Sequence, residues 1–137
     1  MKNIFLLILI PTTIIVVILV SKVFWLKDIN QDIKAFNMKY EEYLEKEIYG
    51  NNLATIINKA IDDNKKENLT KKDENYININ IKIIDYTKET IIEMEKFYNG
   101  GIDRFVEMYG SILFKCNEIK YSEKGKVNYL LFEQITQ

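Results

Sequence analysis

The first part of the chain contains a long apolar run, from Ile4 to Ser21, without a charged residue. A helix rises about 1.5 Å per residue and the hydrocarbon core of a bilayer is about 30 Å thick, so about twenty apolar residues can cross it. Lys22 and the apolar Val23–Leu26 extend the run. The run therefore predicts a membrane anchor over residues 1–26. The residues that we expect to form it are Ile4, Phe5, Leu6, Leu7, Pro11, Ile15, Val16, Leu19 and Trp25.

A cleaved secretory signal is the alternative, because Met1 and Lys2 form a short basic region ahead of the apolar run. The run is longer than the core of a usual signal, and Ala35 is the first alanine, so no small-residue cleavage site follows it. We therefore favour an uncleaved anchor in the cell membrane. The charges on its two flanks give little contrast, but the basic amino terminus favours a soluble part outside the cytoplasm. A cytoplasmic soluble part is the alternative.

The rest of the chain, residues 27–137, is long enough for one small domain. From Asp28 onward, 16 Lys and Arg residues stand against 20 Asp and Glu residues, which gives this part a net charge of −4. We therefore expect no basic patch of the kind that binds nucleic acid.

A helical stripe follows the anchor. Its spacings of three and four predict that one helix continues over residues 27–49 and ends at Gly50, the first glycine. The stripe has two interpretations: a coiled-coil or filament seam for a partner, or a face that packs on the protein's own sheet. The candidate interface residues on this stripe are Ile29, Ile33, Phe36 and Tyr40.

A second amphipathic helix is predicted next, with Asn51 or Asn52 as its N-cap. Its apolar face consists of Leu53, Ile56, Ile57, Ala60 and Ile61. The following residues, 62–75, are almost wholly polar and predict a mobile, solvated loop. The carboxylates of this loop lack the spacing of a calcium-binding loop.

The apolar period changes to two at Tyr76, where four alternate isoleucines from Ile77 to Ile83 predict a strand. Residues 85–89 have the composition of a turn. Residues 90–93 fit a short return strand, although the spacing over residues 91–98 also fits a helix, and the pattern leaves both open. A two-turn helix is predicted from Ile102 to Tyr109, between Gly100-Gly101 and Gly110.

The C-terminal part carries the strongest hairpin pattern. Two apolar segments, residues 111–121 and 126–134, flank a short turn in which Gly125 can take a left-handed conformation. The second strand has apolar residues on both faces and is expected to be covered on both sides. Together these elements predict an α+β fold: a long N-terminal helix, half transmembrane and half soluble, packed on a small antiparallel sheet with two short helices.

The sequence offers little for catalysis. It contains no histidine, so the commonest general base and a frequent zinc ligand are missing. Its one cysteine, Cys116, lies in a predicted strand, where a buried apolar role is favoured over a nucleophilic one. Each of the five glycines has a place at a helix end or a turn, and none belongs to a phosphate-binding loop. We therefore expect no enzyme activity, no cofactor, no metal and no small-molecule substrate.

Two segments carry a resemblance. Phe36–Tyr43, which reads FNMKYEEY, precedes Gly50 and then Leu53–Asn64, which reads LATIINKAIDDN. This module resembles small uncharacterised single-pass membrane proteins of AT-rich Gram-positive bacteria, which also carry an N-terminal anchor; the resemblance implies no activity. The expected architecture is also similar to type IV pilins and pseudopilins. The sequence departs from them because no glycine or alanine precedes the apolar run and no glutamate lies near its start.

These observations predict a membrane-anchored protein that is not an enzyme. Its small domain is expected to make protein contacts, with a partner or by self-assembly, in a pilin-like component of a surface or secretion assembly. The alternative is an adaptor whose domain faces the cytoplasm. Membrane lipid is the other expected partner.

Overall fold

The computed structural model describes residues 2–85 and 88–136, with side chains from Ile10 onward. The chain divides into two compact units, of which the first ends at Ala35 and the second begins at Phe36. The first unit is a single helix, the main part of α1 (Lys2–Glu41), and it includes Pro11. Polar side chains within it bond to their own helix: the Thr13 hydroxyl donates to the Ile10 carbonyl at 2.8 Å.

The second unit has an α+β fold, as predicted. Its elements are the last residues of α1, strands β1 (Glu47–Tyr49), β2 (Asn78–Asp85), β3 (Lys88–Glu93), β4 (Leu113–Tyr121) and β5 (Val127–Gln134), helices α2 (Gly50–Lys66) and α3 (Ile102–Tyr109), and a short 3-10 helix (Met94–Phe97). The predicted α3 and the predicted β4–β5 hairpin are confirmed, and Gly125 in its turn has a φ of 79°.

The five strands form one mixed sheet in the order β1-β4-β5-β2-β3. Neighbouring strands are antiparallel except β2 and β5, which are parallel. The expectation of a wholly antiparallel sheet was therefore wrong at this pair. The pairing makes β1 and β2 parallel as well, with β4 and β5 between them, so β1–α2–β2 is a split β–α–β unit.

The helix α1 ends earlier than predicted. It stops at Glu41, and the chain turns so that the Glu45 amide donates to the Cys116 carbonyl at 2.9 Å. Glu45 has a φ of 63°, in the left-handed region, and the next residues form β1 along the edge of β4. The prediction of one helix to Tyr49 failed because the helical stripe runs on into this short strand, and three residues are too few to show a period of two.

Gly50 begins α2 and does not cap α1. A Cβ atom at Gly50 would lie 2.0 Å from the Tyr109 carbonyl oxygen, so only glycine allows the start of α2 to approach the end of α3 this closely. The Asn51 amide donates to the Gly110 carbonyl across this contact at 3.1 Å. The predicted asparagine N-cap was wrong, because the N-cap is Tyr49, without a side-chain capping bond.

The core lies on one face of the sheet. The predicted apolar face of α2 is buried, and so are the four alternate isoleucines from Ile77 to Ile83, which confirms both patterns. Side chains from α3, β4 and β5 complete the core, among them Phe105, Phe114 and Phe132. The opposite face of β5 is only half-buried at Tyr129 and Leu131, so the expectation of cover on both sides was wrong.

Part of the predicted loop is helix. Residues 62–66 complete α2, and Asn68, with a φ of 52°, ends the helix. The amides of Asn68 and Leu69 donate to the carbonyls of Lys65 and Asn64, at 3.1 and 2.9 Å, which is the Schellman arrangement. Turns follow to residue 75.

The alternatives left open for residues 90–98 are both present. Residues 88–93 form β3, which pairs with β2 without a register shift, and residues 94–97 form the 3-10 helix. Of the turn predicted over residues 85–89, Asp85, Lys88 and Glu89 belong to the paired strands β2 and β3, and Asp85 pairs with Lys88. Residues 86 and 87 lie outside the described residues.

We expect Gly50→Ala to destabilise the second unit by about 1–3 kcal/mol or more, because the added methyl group must displace the backbone at Tyr109. Urea unfolding of the full chain in detergent, followed by circular dichroism, measures the change. Asn52→Ala is the control, since Asn52 is exposed on the same helix and its substitution is expected to change stability by less than about 0.5 kcal/mol. Equal stability of the two variants would contradict the close contact.

Candidate interaction surface

Between Ile10 and Leu26, the apolar side chains of the first unit face outward on all sides of the helix. Those described between Ile10 and Leu26, including the predicted anchor residues Ile15, Val16, Leu19 and Trp25, have exposed fractions of 48–66%. Pro11 is also exposed, whereas Ile4, Phe5, Leu6 and Leu7 lie in the helix with side chains outside the described part. Among the described residues, this is the one helix long and apolar enough to cross a membrane.

The predicted interface stripe divides into two parts. Ile29 and Ile33, in the first unit, are half-buried. Phe36 packs on the core of the second unit, and Tyr40 has an exposed fraction of 0%. Tyr40 is therefore not an interface residue, because its ring is covered by the domain itself. For Phe36 and Tyr40 the stripe packs on the protein's own core, as one of its two interpretations predicted.

The Tyr40 hydroxyl closes this contact with a hydrogen bond, donated to the Asp63 carboxylate of α2 at 2.8 Å. Burial, and next the hydrogen bond to Asp63, raise the pKa of the Tyr40 hydroxyl above its ordinary value. Tyr40 therefore stays protonated and remains a donor. Phe36 lies beside it, with the two ring centroids 5.2 Å apart.

Two asparagines that the sequence reasoning missed connect helices to the starts of strands. Asn37, in α1, donates to the Gly125 carbonyl and accepts from the Val127 amide, both at 2.8 Å. Asn64, in α2, donates to the Ile77 carbonyl at 2.8 Å and accepts from the Ile77 amide at 2.9 Å. Both asparagines are buried, so water cannot bond to the backbone groups that they contact. Each side-chain amide therefore supplies the hydrogen bonds that these N–H and C=O groups would otherwise lack.

These two contacts lie at the same end of the sheet, because Ile77 precedes β2, Val127 begins β5, and the two strands are parallel. The sequence contains a pattern that could have predicted both asparagine contacts. Asn64 falls four residues after Ala60, which belongs to the apolar face of α2, and Asn37 falls four residues after Ile33. A lone polar residue at a core-facing helical position predicts a buried partner.

Lys126 lies between the two residues that Asn37 binds. It is buried to an exposed fraction of 9%, its ammonium group is 2.7 Å from the Glu67 carboxylate, and it lies 4.1 Å from the centre of the Phe36 ring. An ion pair and a cation–π contact thus compensate for its burial. The last residues of α1 are joined in this way to both α2 and the β4–β5 hairpin.

We expect Asn37→Ala to destabilise the second unit by about 1–3 kcal/mol, because the buried Val127 amide loses its acceptor. Met38→Ala is the matched control, since Met38 is the exposed neighbour on the same helix. Unfolding in urea and hydrogen exchange at the Val127 amide measure the two effects. A Val127 amide that exchanges equally slowly in the wild type and in Asn37→Ala would contradict this role.

The face of the sheet opposite the core is polar. Register places Lys120, Tyr129 and Asn78 in one row across three strands, and Lys115, Glu133 and Lys82 in another. The Lys120 ammonium group lies 4.8 Å from the centre of the Tyr129 ring. The charges that β4, β5 and β2 carry on this face are mixed in sign, so this central part of the face has no strong field that would select a charged partner.

The two edges of the sheet differ. β1 contributes only three residues at one edge, whereas β3 presents six at the other and pairs with β2 alone. Five of the six β3 residues are exposed, including Ile91 with an exposed fraction of 55%. An exposed edge strand offers unpaired backbone groups to another chain. Sequence reasoning missed this edge, because strand order depends on pairing between distant segments.

The described residues offer little catalytic chemistry. They contain no cluster of side chains arranged to hold a metal ion. Cys116 is fully buried, and burial raises the pKa of its thiol to about 11. An open cleft of about 520 Å³ lies beside Tyr49, Leu113 and Gln134, and Tyr49 is the only titratable side chain among the described residues that line it. An acid–base pair is therefore not available there.

No family model matches the chain, and no curated protein or solved structure shows significant similarity to it.

Proposed function

We propose that this chain is a single-pass membrane protein, not an enzyme, whose α+β domain binds a protein partner. The observation that carries the proposal is the full exposure of the apolar helix: its most apolar stretch has 0% of its residues buried. Exposure of so large an apolar surface to water is unfavourable, whereas the hydrocarbon core of a bilayer removes it from water. The anchor thus serves to hold the domain at the membrane.

A binding role for the domain is supported by its surface. β3 leaves a regular edge of the sheet open, with five of its six residues exposed. With the domain outside the cytoplasm, we propose a pilin-like component of a surface or secretion assembly, related to the small anchored proteins that the FNMKYEEY module resembles. With the domain inside, the same features suit a membrane adaptor.

Topology is the first test. Lys72→Cys places a thiol in the exposed turn region, whereas Cys116 is buried with a raised pKa and is expected not to react in the folded chain. We expect a membrane-impermeant maleimide to label Lys72→Cys in intact cells. Wild-type chain is the control and should stay unlabelled until it is unfolded. Labelling only after lysis would place the domain inside and contradict the pilin-like role.

Partner binding has a separate test. We expect the full chain, extracted at native abundance in mild detergent, to migrate as a complex larger than its own 16.3 kDa plus the micelle. Mass spectrometry of the same material shows whether Lys2 and the apolar run remain, as an uncleaved anchor requires. A monomer at native abundance contradicts partner binding, and a chain that lacks the apolar run contradicts the anchor.

A further inference from the structure

The exposed edge of β3 has a distinct side-chain pattern. Register with β2 places Glu89, Ile91 and Glu93 on the polar face of the sheet and Lys88, Thr90 and Ile92 on the core face. On the polar face, the exposed edge therefore reads carboxylate, isoleucine, carboxylate. The two carboxylates are 61% and 54% exposed, although Lys82 and Lys71 contact them from within the chain, at 3.0 and 3.1 Å.

We propose that a strand of a partner protein pairs with the exposed edge of β3. In this partner strand, basic residues flank an apolar residue at alternate positions. This inference rests on the proposed partner binding and names the surface that carries it. An added strand pairs with the backbone of β3, and its side chains lie directly opposite those of β3 on the same face. Lysine or arginine is the complement of Glu89 and Glu93, and an apolar residue is the complement of Ile91.

A second copy of this chain fits the edge less well. A two-fold antiparallel pair of β3 strands puts residues of the same face opposite each other. When the pair is centred on Ile91, Glu89 lies opposite Glu93 at both ends, and like charges directly opposite are unfavourable. When it is centred on Thr90, Glu89 lies opposite Ile91 and Lys88 lies opposite Ile92. Neither register pairs the carboxylates with a cation, so a partner with basic residues is favoured.

The regular geometry of β3 supports strand addition. Its six residues pair with β2 in an unbroken register, and neither a bulge nor a proline interrupts them. A bulge or a proline in an edge strand would hinder pairing with another chain and so protect the edge. Charged side chains are the protection that β3 does carry, and they make the edge selective because they admit one charge pattern and repel the other.

Disulfide tethering tests the proposal even when the affinity is low. The full chain carries Ile91→Cys and Cys116→Ala. It is mixed with one of two blocked peptides, each with a cysteine at its centre. The alternate positions that flank this cysteine are lysine in one peptide and glutamate in the other, and the remaining positions are threonine. At equal peptide concentration in a thiol buffer, we expect the mixed disulfide with the lysine peptide to be about five-fold more abundant, as two cross-strand charge pairs imply. Glu89→Lys with Glu93→Lys is expected to reverse the preference.

Two controls separate strand addition from simple charge attraction. Met108→Cys places a thiol at an exposed site beside Glu107 on the helix α3, where no strand edge is available for pairing. The lysine peptide N-methylated at alternate residues keeps its charge but loses donors for backbone pairing. We expect N-methylation to lower trapping at residue 91 to the level seen at residue 108. Trapping that does not change on N-methylation, or that shows no charge preference, overturns the proposal. If the native complex is nevertheless larger than a monomer, partner binding itself stands.

Discussion

The burial of one face of a five-stranded sheet by a single layer of helices is the constraint on which the rest of this structure depends. The isoleucines of β2 and the aromatic residues of β4 and β5 need that cover, and α2 supplies most of it. The cover is possible because Gly50 lets α2 approach the end of α3 at backbone distance. The other face of the sheet is left polar, and β3 is left as an exposed edge.

Two side-chain amides fix the helices in register with this sheet. An apolar side chain at position 37 or 64 could bury similar area, but it would leave the backbone groups at the starts of β5 and β2 without partners. A buried amide that bonds to both N–H and C=O of the backbone allows only one register, because a shift of one residue breaks both bonds. Asn37 and Asn64 therefore contribute specificity of packing more than area of contact.

Local patterns in the sequence predicted the local structure well. The alternation from Ile77 to Ile83 and the three-and-four spacing of α2 each report which face a residue occupies, and burial follows from that face alone. Two of the failures depended on distant partners. The pairing of β2 with β5 joins segments about fifty residues apart, and nothing near either strand encodes a parallel neighbour. Gly50 was misplaced for a related reason, since a glycine suits both a helix end and a close contact with Tyr109. For the candidate surface, the long apolar helix was visible in composition, whereas the exposed β3 edge required the strand order.

Anchoring changes what such an edge can achieve. Pairing along six residues with two charge complements is weak between freely diffusing molecules, because binding must offset the loss of translational and rotational freedom. A chain held in a membrane has already lost part of that freedom, and a partner in the same membrane meets it at a raised effective concentration. The weak and selective edge that we propose for β3 therefore suits a domain held at a membrane. A strong apolar edge would suit it poorly, because the same confinement would promote pairing between identical copies.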